Sequence, residues 1–268
     1  EIYSIKGLKS FLKLAEQKKL HQFPIHIKLD TGMHRLGFEA DTIQELIQTL
    51  KGNQRVLVKS ILSHMATSDA SEHKDFSLAQ LRLFDAMSNQ LMNELSIQPL
   101  RHILNTSGIS NFPEGQYDMV RLGIGLYGVS NDAEEQKYLE NVSTLKSVIS
   151  QIRTVPAGDS VGYGRRFMAA KPTVVATIPI GYADGISRLW GNGSGYVTVN
   201  KHKAIILGSV CMDMLMVDVT GIDCSEGDDV IVFGESPKVI EIAEKTQTIP
   251  YEILTSISQR VKRVFYRE

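Results

Sequence analysis

Apolar residues in the first half of the chain follow two spacings, one typical of helices and one typical of strands. Helical spacing, with an apolar side chain every three or four positions, occurs at residues 6–20, 41–50 and 76–95. Short apolar runs predict strands at residues 1–4, 24–29, 56–62, 102–104 and 119–122. Because helices separate most of these strands, the pattern favours βαβ units and a parallel sheet.

From about residue 143 the pattern changes to short runs rich in β-branched residues. These runs predict strands at residues 148–155, 173–180, 196–199, 204–210, 215–219 and 230–233. Turn sequences such as Pro156-Ala157-Gly158 separate them, so we expect a mostly antiparallel β domain. We place the boundary near Tyr138, which gives one domain of residues 1–138 and a second of residues 139–268.

The first domain is short for the fold that its pattern suggests. A (β/α)8 barrel needs roughly 200 residues or more, whereas only five strands are predicted in residues 1–138. The chain also begins with Glu1 and not with Met. The fold class expected is α/β plus β. The first domain is either a smaller open sheet or a partial (β/α)8 TIM-type barrel, with about the last five βα units and an absent N-terminal part.

Composition and charge narrow the class of protein. Hydrophobic residues make up 43% and charged residues 22% of the chain, which excludes a disordered or collagen-like protein. With 29 basic and 30 acidic side chains, the net charge of -1 gives no reason to expect a nucleic-acid or membrane partner. Cys211 and Cys224 lack the spacing of a zinc site, and no apolar run is long enough to span a bilayer. We expect a cytoplasmic protein without a metal.

Polar side chains follow the ends of the predicted strands, where α/β barrels hold their sites. Lys28 lies in a strand with Arg35 just beyond it, and His64 follows the next strand. Taken singly, these are also compatible with a surface lysine, a loop arginine and a hydrogen-bonded structural histidine. Further along, Thr106 and the Gly123-Ile124-Gly125 turn supply hydroxyl and backbone N–H groups that suit a phosphate, although such a turn alone is weak evidence.

Seven segments, taken in order, resemble motifs of the alanine racemase family. They are residues 28–37 (Lys-Leu-Asp-Thr-Gly-Met-His-Arg-Leu-Gly), 63–67 (Ser-His-Met-Ala-Thr), 105–108 (Asn-Thr-Ser-Gly), 117–128 (Tyr-Asp-Met-Val-Arg-Leu-Gly-Ile-Gly-Leu-Tyr-Gly), 161–164 (Val-Gly-Tyr-Gly), 181–185 (Gly-Tyr-Ala-Asp-Gly) and 211–214 (Cys-Met-Asp-Met). The resemblance covers essentially the whole chain, and seven ordered matches are not expected by chance.

This resemblance implies a fold-type III pyridoxal 5'-phosphate enzyme that interconverts L-alanine and D-alanine for peptidoglycan synthesis. It also implies a head-to-tail homodimer with shared active sites. Tyr163 matches one of two catalytic bases, Arg121 matches the arginine that faces the pyridine nitrogen, and His64 matches the link between Arg121 and the partner's tyrosine. Read without the family, Tyr163 in Val-Gly-Tyr-Gly is more simply a packed strand aromatic.

The resemblance assigns further residues to cofactor and substrate. The cofactor set is Asn105, Thr106, Gly123, Ile124 and Tyr251, with His102 supporting Arg121. The substrate set is Arg35, Met212 through its backbone N–H, and the adjacent Cys211 and Asp213. Lys28 matches a lysine that is often carbamylated, and the access channel would be lined by Tyr182, Asp69 and Arg188. Ser209 stands where the family frequently has an arginine.

One family motif has no counterpart in these residues. The Schiff-base lysine of the family lies in a Lys-Ala-Asn-Ala-Tyr-Gly-His-type segment, and none of the lysines here has that context. We therefore expect the C-terminal two-thirds of an alanine racemase, inactive alone. The alternatives are a non-catalytic dimerising fragment of a larger, ligase-fused protein, and another fold-type III enzyme such as an amino-acid decarboxylase. Preference for alanine over serine stays open.

Overall fold

A computed structural model describes residues 1–130, 132 and 134–266 of the chain. These residues form two compact units. The first unit comprises Glu1–Leu126 and Ser130–Tyr138, and the second comprises Tyr127–Val129 and the chain from Leu139 onward. Within the described residues, no helix combines the length and apolarity that a bilayer crossing requires.

The first unit is a three-stranded parallel sheet covered by helices. Its elements are α1 (Ile5–Gln17), β1 (Phe23–Lys28), α2 (Ile43–Leu50), β2 (Val56–Leu62), α3 (Lys74–Leu95), β3 (Leu100–His102) and α4 (Thr106–Asn111). The strand order is β1-β2-β3. One sheet face contributes Ile25, Ile27 and Ile61 to a buried cluster with Leu8 of α1 and Phe84 of α3. Burial of this apolar face stabilises the unit.

The opposite face of the sheet is polar. Strand register pairs His26 with Ser60 and Leu62 with His102, so their side chains lie on one side. Lys28, two residues after His26, lies on this face as well. On this polar face, Lys28 and His102 stand at the carboxyl ends of their strands, where the following loops begin.

The sequence prediction of five strands in this unit is wrong for the described residues. Residues 1–4 form only an isolated parallel bridge between Ile2 and Ile27. Residues 119–122 form no strand ladder, because Asp118 Oδ2 accepts the hydrogen bond from Arg101 N–H at 2.8 Å. The backbone N–H groups of Asp118 and Arg121 donate to the carbonyls of Arg101 and Leu104. The strand predicted at residues 102–104 lies two residues earlier in the structure, at Leu100–His102.

The second unit contains a seven-stranded antiparallel sheet. Its strands are β4 (Leu145–Val148), β5 (Gln151–Val155), β8 (Thr173–Ile178), β9 (Tyr196–Val199), β10 (His202–Leu207), β11 (Leu215–Asp218) and β12 (Asp229–Phe233). Their order in the sheet is β4-β12-β9-β10-β11-β8-β5. A separate pair is formed by β6 (Ser160–Val161) and β7 (Phe167–Met168). The expected antiparallel β domain is confirmed.

The predicted strand at residues 148–155 spans the end of β4 and all of β5, because the chain changes neighbours at residues 149–150. Ile149 N–H donates to Asp228 O on the β12 side, whereas Ser150 N–H donates to Thr177 O of β8. Two helices were not predicted, α5 (Val239–Lys245) and α6 (Pro250–Ser256). They cover the core cluster that contains Trp190, and each has only seven residues, too few for a clear helical period.

Candidate active site

Arg121 is the centre of a polar cluster at the carboxyl ends of the parallel strands. Its Nη2 donates to the backbone carbonyl oxygens of Ser63 at 2.6 Å and Ile103 at 3.1 Å. Its Nη1 lies 2.5 Å from His102 Nδ1, and Nη2 lies 3.2 Å from His64 Nδ1. Each Arg121 hydrogen bond that the structure describes therefore ends on a neutral group. The guanidinium keeps a net positive charge inside a partly buried site.

The two histidines of the cluster are neutral at pH 7. Burial lowers the pKa of His102 to about 4, and the charge of Arg121 acts in the same direction. Burial likewise lowers the pKa of His64 to about 4. The positive charges of Arg121, Arg35 and Lys28 also oppose protonation of His64. Both imidazoles can therefore serve as hydrogen-bond acceptors for the arginine.

Thr106 and the turn after Arg121 meet as the sequence predicted for a phosphate site. Thr106 Oγ1 accepts from Gly123 N–H at 2.9 Å and from Gly125 N–H at 3.4 Å. A Cβ atom at Gly125 would lie 3.0 Å from Thr106 Cγ2, so glycine permits this close approach. Ile124 is buried between the two glycines. Because Thr106 Oγ1 already accepts these bonds, its own hydrogen can donate to an anion.

Asn105 fixes Thr106 in place. Asn105 is the N-cap of α4, and its Oδ1 accepts from Gly108 N–H at 3.0 Å. Ser68 Oγ donates to the same oxygen at 2.7 Å. Asn105 therefore orders the loop after β3 together with the loop that carries Asp69, which is exposed.

Lys28 and Arg35 lie on and beyond β1. Lys28 Nζ pairs with Glu1 Oε1 at 3.1 Å, and its side chain is 13% exposed. Arg35 is exposed in the loop that follows β1. Carbamylation of Lys28 stays a prediction, because the group that contacts Nζ here is a carboxylate and not Arg35.

Tyr163 belongs to the second unit and is 75% exposed. It begins a short 3-10 helix, Tyr163–Arg165, which Gly162 separates from β6. Glycines with positive φ stand on both sides, Gly162 at 76° and Gly164 at 67°. This backbone turns outward and presents the phenol to the surface of its unit.

Met212 lies in a loop that is bonded to the turn Gly181–Gly185. Tyr182 N–H donates to Cys211 O at 3.0 Å, and Ala183 N–H donates to Met212 O at 2.9 Å. Since the peptide bond is trans and planar, the Met212 N–H points away from the Cys211 carbonyl and hence from this turn. That orientation suits the predicted contact between the Met212 N–H and a carboxylate.

A clamp formed by Arg260, Asp184 and Asp213 joins the same two loops. Arg260 Nε donates to Asp184 Oδ1 at 2.7 Å, and Arg260 Nη2 donates to Asp213 Oδ1 at 2.6 Å. Asp184 Oδ2 also accepts from Gly181 N–H at 2.9 Å. These bonds hold the pKa of Asp184 below its usual value despite burial.

The other predicted residues of the second unit lie at its surface. Tyr182 is 43% exposed and Tyr251, in α6, is 39% exposed. Arg188 is exposed in the segment Arg188–Trp190. Burial raises the pKa of the Cys211 thiol, while the charge of Arg188 lowers it. Arg188 thus provides positive charge near the loop in which Ser209 replaces the arginine expected from the family pattern.

Comparison with known proteins identifies the family. A family model described as "Alanine racemase, N-terminal domain" matches residues 1–131, and one described as "Alanine racemase, C-terminal domain" matches residues 142–265. Alanine racemase 2 of Caldanaerobacter subterraneus subsp. tengcongensis is 36% identical over 271 residues, which cover 98% of this chain and 69% of that protein. The chain belongs to the alanine racemase family.

Solved structures of alanine racemases share the fold. That of the enzyme from D-cycloserine-producing Streptomyces lavendulae has a TM-score of 0.92 and 32% identity, covering 100% of this chain and 72% of that one. The alanine racemase of Bartonella henselae, solved with covalently bound pyridoxal phosphate, has a TM-score of 0.83 and 34% identity over 98% of this chain and 72% of that one. The predicted resemblance to alanine racemases is thereby confirmed, and the Bartonella henselae relative holds pyridoxal phosphate covalently.

Several residues that order the candidate site carried no recognised signal in the sequence. Ser60, Arg260 and Asp184 were not singled out, and neither was Glu1 as the partner of Lys28. Strand alternation from His26 could have indicated Ser60, because paired strands bring such residues to one face. Asp184 lies inside a quoted motif. Arg260, 47 residues after Asp213 and 76 after Asp184, had no local signal.

Proposed function

We propose that this chain supplies part of the catalytic machinery of a pyridoxal phosphate-dependent alanine racemase. The observation that carries the proposal is the Arg121 cluster. Its partly buried cation donates only to neutral groups in the bonds described, and it lies next to the turn in which Gly123 N–H donates to Thr106 Oγ1. Family membership supports the same activity, because the relatives are alanine racemases. Pyridoxal phosphate, when bound, supplies an electron sink that makes the Cα proton of an amino acid removable.

The described residues fit the cofactor. The Thr106 hydroxyl hydrogen and the Ile124 N–H would donate to its phosphate, while the Gly123 N–H, which donates to Thr106 Oγ1, holds the turn against that hydroxyl. Asn105 keeps Thr106 in position, and Tyr251 would add a phenolic donor. Arg121 would face the ring nitrogen and oppose its protonation, because a permanent cation disfavours a second positive charge nearby. Neutral His102 and His64 orient that guanidinium without adding charge.

Tyr163 is the residue of this chain that we assign as a base. Glycines on both sides place its phenol at the surface of the second unit. An ordinary tyrosine has a pKa of about 10, so Tyr163 needs cationic surroundings to act near neutral pH. We propose that these come from Arg121 through His64 of a second copy in a homodimer. The Met212 N–H and Arg35 would bind the substrate carboxylate, with Cys211 and Asp213 shaping the loop.

We further propose that none of the lysines in these 268 residues forms the covalent bond to the cofactor. The charge of Lys28 contributes to the lowered pKa of His64, and its amine forms an ion pair with Glu1. The parallel sheet of the first unit would accordingly be part of a (β/α)8 barrel. Without a Schiff-base lysine, one of the two bases is missing, so we expect this chain alone to exchange the Cα proton slowly through Tyr163 and not to complete racemisation.

The experiment is racemisation of L-alanine and D-alanine by the purified chain with added pyridoxal phosphate, read by circular dichroism and by uptake of solvent deuterium at Cα. Tyr163→Phe is the test variant, and Tyr138→Phe, an exposed tyrosine outside the proposed site, is its matched control. We expect deuterium uptake above background that Tyr163→Phe reduces at least about tenfold. Release of CO2 from amino acids would identify a decarboxylase instead.

Borohydride reduction of the cofactor-loaded chain, followed by peptide mass spectrometry, tests the lysine proposal. We expect no pyridoxyl group on a unique lysine, and a stoichiometric adduct on Lys28 would contradict it. Size-exclusion chromatography with light scattering tests the homodimer. A monomer at micromolar concentration would contradict shared active sites.

A further inference from the structure

A chain of hydrogen bonds runs from Arg121 along the polar face of the sheet. His102 lies between Arg121 and Ser60, with Nδ1 2.5 Å from Arg121 Nη1 and Nε2 3.0 Å from Ser60 Oγ. Ser60 Oγ lies 2.7 Å from His26 Nδ1. Strand register produces this alignment, because His26 of β1 is paired with Ser60 of β2. Ser60 is 1% exposed and His102 4% exposed, so protein atoms satisfy their polar groups.

The chemistry of each group fixes the direction of these bonds. Arginine only donates, so His102 Nδ1 must be the acceptor of the bond from Arg121. His102 is neutral at pH 7, with a pKa of about 4, so its single ring proton resides on Nε2. That proton is donated to Ser60 Oγ. The Ser60 hydroxyl hydrogen then requires an acceptor in a buried place, and His26 Nδ1 provides one.

We propose that Ser60 is a positioning residue, whose hydroxyl holds the His102 ring in the tautomer and orientation that let Nδ1 accept from Arg121, with His26 as the last acceptor. Without Ser60 Oγ, the buried His102 Nε2–H has no described partner, and the ring can reach one only by turning. A turned ring withdraws Nδ1 from Arg121. The consequence for catalysis rests on the proposed function, in which Arg121 faces the cofactor.

The test is proton NMR on the full chain with ¹⁵N-labelled histidine, which reports the tautomer of each imidazole and the exchange of its N–H with water. The chain has 7 histidines, and His102→Gln assigns the signal. In the unsubstituted chain we expect His102 as the Nε2–H tautomer with a slowly exchanging proton. In Ser60→Ala we expect exchange at least about tenfold faster, because the proton has lost its acceptor.

Two further variants keep the test independent of folding. Ser88→Ala removes another buried serine hydroxyl, one that bonds within α3 to Asp85 O at 3.4 Å, and should leave the His102 signal unchanged. His26→Leu alters an exposed residue and should speed exchange by a smaller factor, because Ser60 loses its acceptor. An unchanged His102 signal in Ser60→Ala overturns the proposal, and so does an equal change in Ser88→Ala.

A cofactor titration separates this proposal from the proposed function. Pyridoxal phosphate binding, followed by absorbance, should be about fivefold weaker in Ser60→Ala than in the unsubstituted chain and unchanged in Ser88→Ala. If neither protein binds the cofactor but the NMR signals change as expected, the proposed function fails and the positioning role stands. If both bind equally and the NMR signals do not change, the positioning role fails alone.

Discussion

Arg121 in the first unit and Arg260 in the second are bound in opposite ways. Arg121 donates to backbone carbonyls and to the neutral rings of His102 and His64. Arg260 donates to the carboxylates of Asp184 and Asp213. Burial lowers the pKa of Arg121, whereas two carboxylates raise the pKa of Arg260. The first arginine retains its charge for a ligand, and the charge of the second is neutralised within the protein.

The difference agrees with the proposed division between a cofactor site at Arg121 and a structural ion pair at Arg260. Burying a cation among neutral acceptors costs free energy, because only the dipoles of those acceptors offset the hydration that the cation loses. Arg260 is half exposed and joins two loops through its ion pairs, and exposed ion pairs contribute only a small free energy. We therefore expect changes at Arg121 to affect cofactor binding, catalysis and pH response, and changes at Arg260 to affect loop order with little effect on cofactor binding.

Arg121→Met has the largest expected effect. It removes the cation and leaves the carbonyls of Ser63 and Ile103 without their donor, so the free energy of unfolding should fall by about 2–4 kcal/mol. Deuterium uptake at Cα catalysed by the cofactor-loaded chain should fall at least about 100-fold. Urea denaturation and deuterium uptake at Cα measure the two effects.

Arg121→Lys is the matched control, since it keeps the charge and loses the fork that reaches several acceptors. We expect it to recover part of the cofactor affinity and little of the stability. Full stability and activity in Arg121→Met would contradict the role given to this arginine.

Acid should destabilise the chain through His64 and His102. Their folded pKa of about 4 lies below the unfolded value of 6.5, so the unfolded state binds more protons between these values. Stability is therefore fully present above about pH 6.5, falls as pH decreases toward 4, and levels off below. Near pH 5, the two histidines together should bind about two more protons in the unfolded state than in the folded state. The slope of the urea midpoint against pH measures this uptake.

His102→Gln should remove about half of that slope, because one of the two shifted groups is gone. His21→Gln, at an exposed histidine, should leave it unchanged. A slope that His102→Gln does not alter would show that other groups cause the acid sensitivity.

Thr106→Val tests whether the region near Arg121 is built for an anion. The change keeps the shape of the side chain but removes the oxygen that accepts from Gly123 and Gly125. We expect pyridoxal phosphate to bind about tenfold more weakly and Thr106→Ser to bind almost normally. An absorbance titration gives the Kd of each. If Thr106→Val bound pyridoxal phosphate as tightly as the unsubstituted chain does, the phosphate would not bind at Thr106.

Much of the fold could be predicted because burial produces regular patterns. The predicted strand at residues 56–62 is β2, and the helix predicted at residues 76–95 is α3 within two residues. The strand predicted at residues 119–122 was wrong because an Asp118 side chain blocks the ladder, which no hydrophobic pattern encodes. The helices α5 and α6 were missed because seven residues give less than two full periods.

The site was predictable where its residues follow strand ends and unpredictable where distant segments meet. Thr106 and the glycines after Arg121 were expected together, and the structure joins them through Thr106 Oγ1. The neutral state of His102 and His64 depends on burial around Arg121, which a single sequence does not report. Arg260 depends on a contact between the end of the chain and two loops, so only the folded unit reveals it.

Arg260→Gln has the smallest expected effect and completes the comparison. Removing the cation frees Asp184 and Asp213, so we expect a lower Tm than in the unsubstituted chain, by less than in Arg121→Met. High salt should narrow the difference, because the exposed Arg260–Asp213 ion pair is screened. Thermal melts at low and high salt measure both effects. Arg263→Gln, whose guanidinium contacts only carbonyls in the bonds described, is the matched control without salt dependence.

The same variant distinguishes a loop-ordering arginine from one that binds ligand. Arg260 contacts the loops of Gly181 and Met212, so its loss should raise KM for alanine more than it lowers kcat, by loosening the Met212 N–H. Pyridoxal phosphate affinity should not change, since the phosphate donors we propose from the first unit are untouched. A loss of cofactor affinity equal to that of Arg121→Met would show that the two arginines do not differ in function, however differently they are bonded.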